Sequence, residues 1–345
     1  MRMHTQHKDV GGPAQPLLTV RGLTKHFPLK NGATVRAVDG VSFEVLKGET
    51  LGVVGESGCG KSTTARLLMH LINPTQGELI FDGCKVGGRE LSLKEFRRQV
   101  QMVFQDSYAS LNPRLTIEDS IAFGPQVHGV SKKEAIARTH HLMDRVGLAP
   151  SRFAERYPHE LSGGQRQRIN IARALALQPR MVILDEAVSA LDKSVEAQVL
   201  NLLSDLKREF GLTYVFISHD LGVVNYISDR VMVMYLGQVA EIGPSDTLFA
   251  QPAHPYTKAL LSSVPSMDPS NRTQKAPLAG DPPNPINPPS GCRFHPRCPH
   301  AAPVCAERVP SISEVALHHR ARCLIHEFSS GHPMALAEAP VALAA

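Results

Sequence analysis

Leu51-Gly-Val-Val-Gly-Glu-Ser-Gly-Cys-Gly-Lys-Ser-Thr63 joins a short apolar run to a glycine-rich turn. Residues 55–62 satisfy G-x-x-x-x-G-K-[S/T] at every constrained position, and Lys61 to Ile72 reads as a helix. A strand, a loop and a helix in that order are what a phosphate-binding loop requires; a bare match without that context would read as a glycine-rich turn. The glycines let consecutive backbone N–H groups turn inward, and the helix N-terminus adds the positive end of its dipole. The expected cradle is Gly55, Glu56, Ser57, Gly58, Cys59, Gly60, Lys61, Ser62 and Thr63. Lys61 would reach the β- and γ-phosphates, and the Ser62 hydroxyl is placed to hold Mg²⁺.

Working outward, the chain is an α/β sequence. Leu17–Arg21 and Val41–Val45 alternate like strands, Met181–Asp185 and Tyr214–Ile217 read as buried strands, and Gly163 to Leu177 reads as a helix. Val195, Val199, Leu202, Leu203, Leu206 and Phe210 mark one face of an amphipathic helix, whose plain meaning is core packing. Strands alternating with helices predict a largely parallel core sheet. A helix-rich insertion is expected from about 107 to 165, with helical spacing over 130–147.

Composition limits the rest. At 345 residues, 42% hydrophobic and 20% charged, the chain has the makeup of a soluble globular protein of one large domain plus an appendage, or of two domains. No apolar stretch approaches the roughly 18–20 residues of a membrane-spanning helix. The N-terminus lacks the apolar core of a signal peptide, so a cytoplasmic location is expected. A net charge of +5 is mild; with no tryptophan and 5% aromatic residues, a base-stacking surface and a nucleic-acid partner are not expected. Residues 1–16 read as a disordered leader and 329–345 as a disordered tail.

Asp185 ends an apolar strand and Glu186 follows it, at the sheet edge where the phosphate loop also opens. Asp185 would enter the Mg²⁺ shell, and Glu186 would polarise the attacking water. Leu161-Ser-Gly-Gly-Gln165 places Ser162, Gly163 and Gly164 at a second helix start, another anion-binding end. It is not expected to face its own phosphate loop, which already has a helix N-terminus.

Gly55–Thr63, Gln105, Leu161–Gln165, Met181–Glu186, Ser189-Ala-Leu-Asp192 and His219, in that order, resemble the nucleotide-binding subunit of an ATP-binding cassette (ABC) transporter over residues 17–250. The resemblance implies ATP and Mg²⁺ as ligands, with Ser62, Gln105 and Asp185 at the metal. It implies Glu186 and His219 as catalytic groups, His219 contacting the γ-phosphate. Phe27 fits the aromatic that stacks on adenine, with His26 beside it as the alternative. Ser162, Gly163, Gly164, Gln165 and Asp192 would complete the site of a second ATPase subunit, a paralogue or a second copy. Ala187 stands where the family usually has proline, which supplies no catalytic group.

His254-Pro-Tyr-Thr257 and Asn287-Pro-Pro-Ser-Gly-Cys-Arg-Phe-His-Pro-Arg-Cys298 resemble the C-terminal extension, here 251–328, of dipeptide and oligopeptide permease ATPases. Val103–Arg114 points the same way, with Ser107 where proline is commoner. The implied partners are two membrane-spanning permease subunits and, indirectly, an extracytoplasmic solute-binding protein; the implied place is the cytoplasmic face of the inner membrane. Relatives of this kind also import nickel, glutathione or opines. A non-transport ABC ATPase is the rival, but no heptad array and no second phosphate loop are visible.

Cys292, Cys298, Cys305 and Cys323 lie within 32 residues, after six prolines in 277–289. In a reducing compartment such clustering points to metal rather than disulfides. Four thiolates suit zinc or an iron–sulfur cluster. Five arginines in this stretch, against Glu307 and Glu314, could offset an anionic centre, and His295, His300, His318 and His319 read as bystanders. The family resemblance implies a 4Fe–4S cluster.

Overall fold

The computed structural model describes residues 16–30, 32–263 and 280–335. The strands are β1 (Pro16–Pro28), β2 (Thr34–Leu46), β3 (Thr50–Val54), β4 (Gln76–Phe81), β5 (Cys84–Lys85) and β6 (Val100–Val103), then β7 (Met181–Asp185), β8 (Thr213–Ile217), β9 (Arg230–Tyr235), β10 (Gln238–Pro244), β11 (Ser313–Ala316) and β12 (His319–Ala321). The helices are α1 (Lys61–Leu68), α2 (Leu93–Gln99), α3 (Ile117–Val127), α4 (Lys132–Arg145), α5 (Pro150–Phe153) and α6 (Gly163–Leu175). They continue with α7 (Lys193–Phe210), α8 (Leu221–Ile227), α9 (Ser245–Ala250), α10 (Pro255–Ser262) and α11 (Pro303–Glu307).

The main sheet has the order β11-β12-β10-β9-β3-β8-β7-β6. From β9 to β6 every pair is parallel, whereas β9–β10, β10–β12 and β12–β11 are antiparallel. Alternation along the strands buries both faces. Val182, Leu184, Tyr214 and Phe216 join a core with α3, α4, α6 and α7. Met181, Ile183, Val215 and Ile217 point the other way, into a core shared with α1 and β1, β2 and β4. That second core lies under a separate four-stranded antiparallel sheet, β2-β1-β4-β5, which the expectation of one largely parallel sheet did not include.

Because β3, β8, β7 and β6 are parallel neighbours, their C-terminal ends share one edge, the usual place for ligands in open α/β sheets. The phosphate loop leaves β3, Gln105 follows β6, Asp185 ends β7 and His219 follows β8. Four separate stretches of chain are thereby delivered to one place.

The helix after the loop ends at Leu68 rather than Ile72, since His70 turns left-handed (φ 53°). The face expected on Val195–Phe210 becomes α7, capped by the Asp192 side chain and ended by Gly211 at φ 62°. Helical spacing over 130–147 corresponds to α4, with α3, α5 and α6 beside it.

Pro16, placed in the leader by sequence, begins β1; residues 1–15 lie outside the described residues. Within residues 329–335, placed in the tail, Ser330 (1% exposed) and His332 (6%) are buried, while Ser329, Gly331, Pro333 and Met334 are exposed. Residues 336–345 lie outside the description. Among the described residues no helix is long and apolar enough to cross a membrane.

Candidate active site

The phosphate loop is held open by backbone that only glycine tolerates well. Gly55 lies at φ 149° and Gly60 at φ 108°. A Cβ at Gly55 would meet the Met234 carbonyl at 2.3 Å, and one at Gly60 the Ala37 carbonyl at 2.3 Å. Both glycines are therefore fixed by close approach of neighbouring strands as well as by conformation.

Lys61 Nζ donates to the carbonyls of Gly55 (2.6 Å) and Glu56 (3.1 Å) and lies 3.9 Å from Cys59 Sγ. Ser62 Oγ donates to Asp185 Oδ1 at 3.1 Å, tying α1 to the end of β7. Burial, reinforced by the neighbouring Glu186 carboxylate, raises Asp185 above its ordinary value against the pull of Ser62, Arg66 and Lys61. A divalent cation beside it would reverse that balance.

Glu186 adopts a left-handed backbone, φ 49°, stabilised by its N–H donating to the Ile217 carbonyl at 2.9 Å. That kink turns the carboxylate into the cleft, where Gln105 Nε2 donates to Oε2 at 3.0 Å. His219 Nδ1 lies 3.4 Å from the same oxygen. One open cleft is lined by Ser57, Gly58, Gly60, Lys61, Ser62, Thr63, Gln105, Glu186 and His219, with Val35, Ala37 and Pro285 closing its sides. The last three were not singled out from sequence, and nothing in their residue types marks them.

Phe27 does not line this cleft. It sits across the β1–β2 pair from Val35, 37% exposed, with Lys25 Nζ 5.1 Å from its ring centre. The alternative, His26, is bonded through Nε2 to Asp39 at 3.0 Å.

Ser162–Gln165 also lies away from the cleft. Ser162 caps α6 in a reciprocal box: its Oγ accepts from Gln165 N at 3.3 Å and its N–H donates to Gln165 Oε1 at 3.0 Å. Gly164 is packed so closely on α7 that a Cβ would lie 2.5 Å from Val195 Cγ1. Asp192 caps α7 by accepting from Val195 N at 3.0 Å, so the two helix starts lie side by side and Ser162 and Asp192 are both exposed.

The C-terminal segment reaches the phosphate loop. Glu56 N donates to Tyr256 Oη at 2.9 Å, and Arg297 grips the Glu56 carboxylate with two bonds of 2.8 and 3.0 Å. Arg293 pairs with Asp39, and Arg308 with Glu327 at 3.0 Å. Three of the five arginines expected to offset an anionic centre thus pair with carboxylates, and Arg322 donates to the carbonyls of Val239 and Pro310. His319, expected as a bystander, is buried and bonded to Glu241 at 2.6 Å.

Cys292, Cys298, Cys305 and Cys323 line one small cavity together with His254, His295, His300 and His332. Burial pushes the Cys292 thiol up to about 11 and the Cys323 thiol up to about 12. The donor chemistry suits a thiolate-held centre. Among the described residues, however, no group of three or more His, Cys, Asp or Glu side chains is arranged to hold a metal ion.

Residues 38–189 match the family described as ABC transporter, and residues 240–305 match the oligopeptide/dipeptide transporter C-terminal region. The oligopeptide transport ATP-binding protein AppF of Bacillus subtilis is 50% identical over 323 residues, covering 90% of this chain and 98% of the relative. A Brucella ovis protein named for peptide import and ATP binding is 51% identical over 313 residues, with the same coverage of 90% and 98%. Among solved structures, the dimeric ATP-binding cassette MJ0796 bound to ADP and Pi has a TM-score of 0.59 at 30% identity, covering 66% of this chain and 98% of that one. The Clostridium perfringens protein cbiO1, part of the transporter complex cbiONQ, has a TM-score of 0.60 at 27% identity, covering 68% and 91%.

Proposed function

Because this chain belongs to the ABC transporter family of ATP-binding proteins, we propose that its cleft binds and hydrolyses ATP to drive a peptide importer. It is the ATP-binding subunit of a peptide or oligopeptide ABC importer. What carries the residue-level reading is the convergence of Lys61, Ser62, Gln105, Glu186 and His219 on one cleft, with Asp185 bonded to Ser62 at its floor.

In this reading the N–H groups of the phosphate loop and the start of α1 bind the phosphates, and Lys61 adds its charge. Mg²⁺, held by Ser62, Gln105 and Asp185, would offset charge on the phosphate oxygens. Glu186 orients water for attack on the γ-phosphorus, accepting a hydrogen bond from it, and ADP leaves. Gln105 and His219, both on Glu186 Oε2, fix that carboxylate and report the γ-phosphate to it. The exposed start of α6 and Asp192 present the complementary half-site to a second ATPase subunit, so two chains close over ATP between them. Phe27 remains the proposed adenine contact, supported by its place across the strand pair from Val35, which lines the cleft.

The family implies two membrane-spanning permeases as partners, with this subunit on the cytoplasmic face of the inner membrane. For the cysteine cavity we propose a metal centre held by the four thiolates, a 4Fe–4S cluster ahead of zinc. The shared cavity supports it, and its role would be to order a proline-rich segment.

The test is ATP-dependent peptide uptake by vesicles carrying the chain with its copurified permeases. Uptake that stops with Lys61→Ala supports the reading. A complex that transports equally well with Lys61→Ala overturns it.

A further inference from the structure

Glu56 is held at three points, and two of them come from beyond the cassette. Its carbonyl accepts from Lys61 Nζ at 3.1 Å within the loop. Its N–H donates to Tyr256 on α10, and both its carboxylate oxygens are taken by Arg297. The Arg297 side chain is only 6% exposed, with its guanidinium 6.0 Å from the Tyr235 ring centre. Its backbone is fixed as firmly: Arg297 N donates to Phe294 O at 3.0 Å, in a turn flanked by Cys292 and Cys298. Tyr235, Tyr256 and Phe294 pack on one another with ring centres 4.6 to 5.4 Å apart, making a rigid base for both handles.

We propose that Arg297 is a positioning residue of the nucleotide site: by gripping Glu56 it holds the phosphate loop in its receptive shape, so the C-terminal segment sets ATP affinity. The inference rests on reading the cleft as an ATP site. Two physical effects act in the same direction. A loop already held in place loses less conformational freedom when phosphates arrive. Arg297 also neutralises a carboxylate that stands in the very loop meant to receive a polyanion. The paired fork geometry matters, since a lysine supplies the charge but only a point contact.

The experiment uses the purified full-length chain, with binding of mant-ATP and Mg²⁺ and the melting temperature measured side by side. Arg297→Met should raise the Kd roughly 5- to 30-fold, in the lower part of the usual range for coupling between sites. Arg297→Lys should recover part of that loss at an unchanged melting temperature. With Glu56→Gln already present, Arg297→Met should add little, because the charge it answers is gone. A Kd within about twofold of wild type for Arg297→Met overturns the inference, as does a full Arg297→Met effect in the Glu56→Gln background. If instead Lys61→Ala binds mant-ATP as wild type does, the ATP reading of the cleft itself fails, and this inference with it.

Discussion

Gln105 Nε2 and His219 Nδ1 converge on one oxygen of Glu186, at 3.0 and 3.4 Å. The first comes from the segment after β6, the second from the segment after β8, and Glu186 itself follows β7 between them. A carboxylate bracketed in this way has one free oxygen to offer, and its direction is set by both neighbours.

Replacing Glu186 by Gln should therefore keep ATP binding while slowing hydrolysis by ~10²–10⁴, the usual worth of a positioned general base. Lys61→Ala should instead weaken binding, since it removes a charge-assisted contact to phosphate. Steady-state turnover of the partner-complete complex checks both. Near-normal turnover in Glu186→Gln would remove that residue from catalysis.

The exposed α6 start predicts that half of each working site is supplied by another subunit. Ser162→Arg in one subunit should disable the site whose phosphate loop lies in the other, because its bulk blocks the helix end. Cysteine crosslinks between positions 58 and 163 should form between chains and only with ATP. Crosslinks confined to single chains would contradict the shared-site arrangement.

Acid stability should be limited in part by His254. Burial pushes this imidazole down to about 4 from an ordinary 6.5, even though the Glu241 carboxylate pulls the other way. The unfolded chain takes up a proton near 6.5 that the folded chain refuses until about 4. Stability must then fall as pH drops through that window, by on the order of 3 kcal/mol for a shift of this size. Glu241, held below its ordinary value despite burial by His319, Thr257 and two backbone N–H groups, acts in the same direction at lower pH. Urea midpoints from pH 7 to 4 should lose about one proton of slope in His254→Asn. An unchanged slope would show that the imidazole is not a determinant.

A thiolate-held centre predicts brown protein after anaerobic purification, with iron and sulfide lost on Cys298→Ser. One equivalent of zinc without iron would replace the cluster by a zinc staple. Metal-free protein of unchanged stability after Cys298→Ser would remove both.

The cleft that gathers Lys61, Ser62, Gln105, Glu186 and His219 was legible in the sequence because its parts are local. A phosphate loop, an acid at a strand end and a histidine after a strand each announce themselves within a few residues, and parallel strands then gather them. The four-stranded sheet was only half legible: Asn31-Gly32 and Asp82-Gly83 mark its β1–β2 and β4–β5 hairpins, but β1 and β4 pair across more than fifty residues, which no local signal announces. Arg297 and Tyr256 were missed as neighbours of the loop for the same reason. Each is separated from Glu56 by about 200 residues or more, and an arginine beside cysteines reads first as their counter-charge.

The pairing of β12 with β10 has a consequence for how this protein can be divided. Ala321 and Arg320 lie opposite Glu241 and Ile242, so the chain's last strands finish the sheet that its first hundred residues begin. Glu241 is fully buried, and His319 is one of its partners. A fragment ending near residue 250 would strip that carboxylate of its partners and leave β10 with a bare edge, open to strand-to-strand aggregation. In this chain the cassette and its extension thus share one sheet and one buried carboxylate network, so a truncation between them cuts through a packed unit.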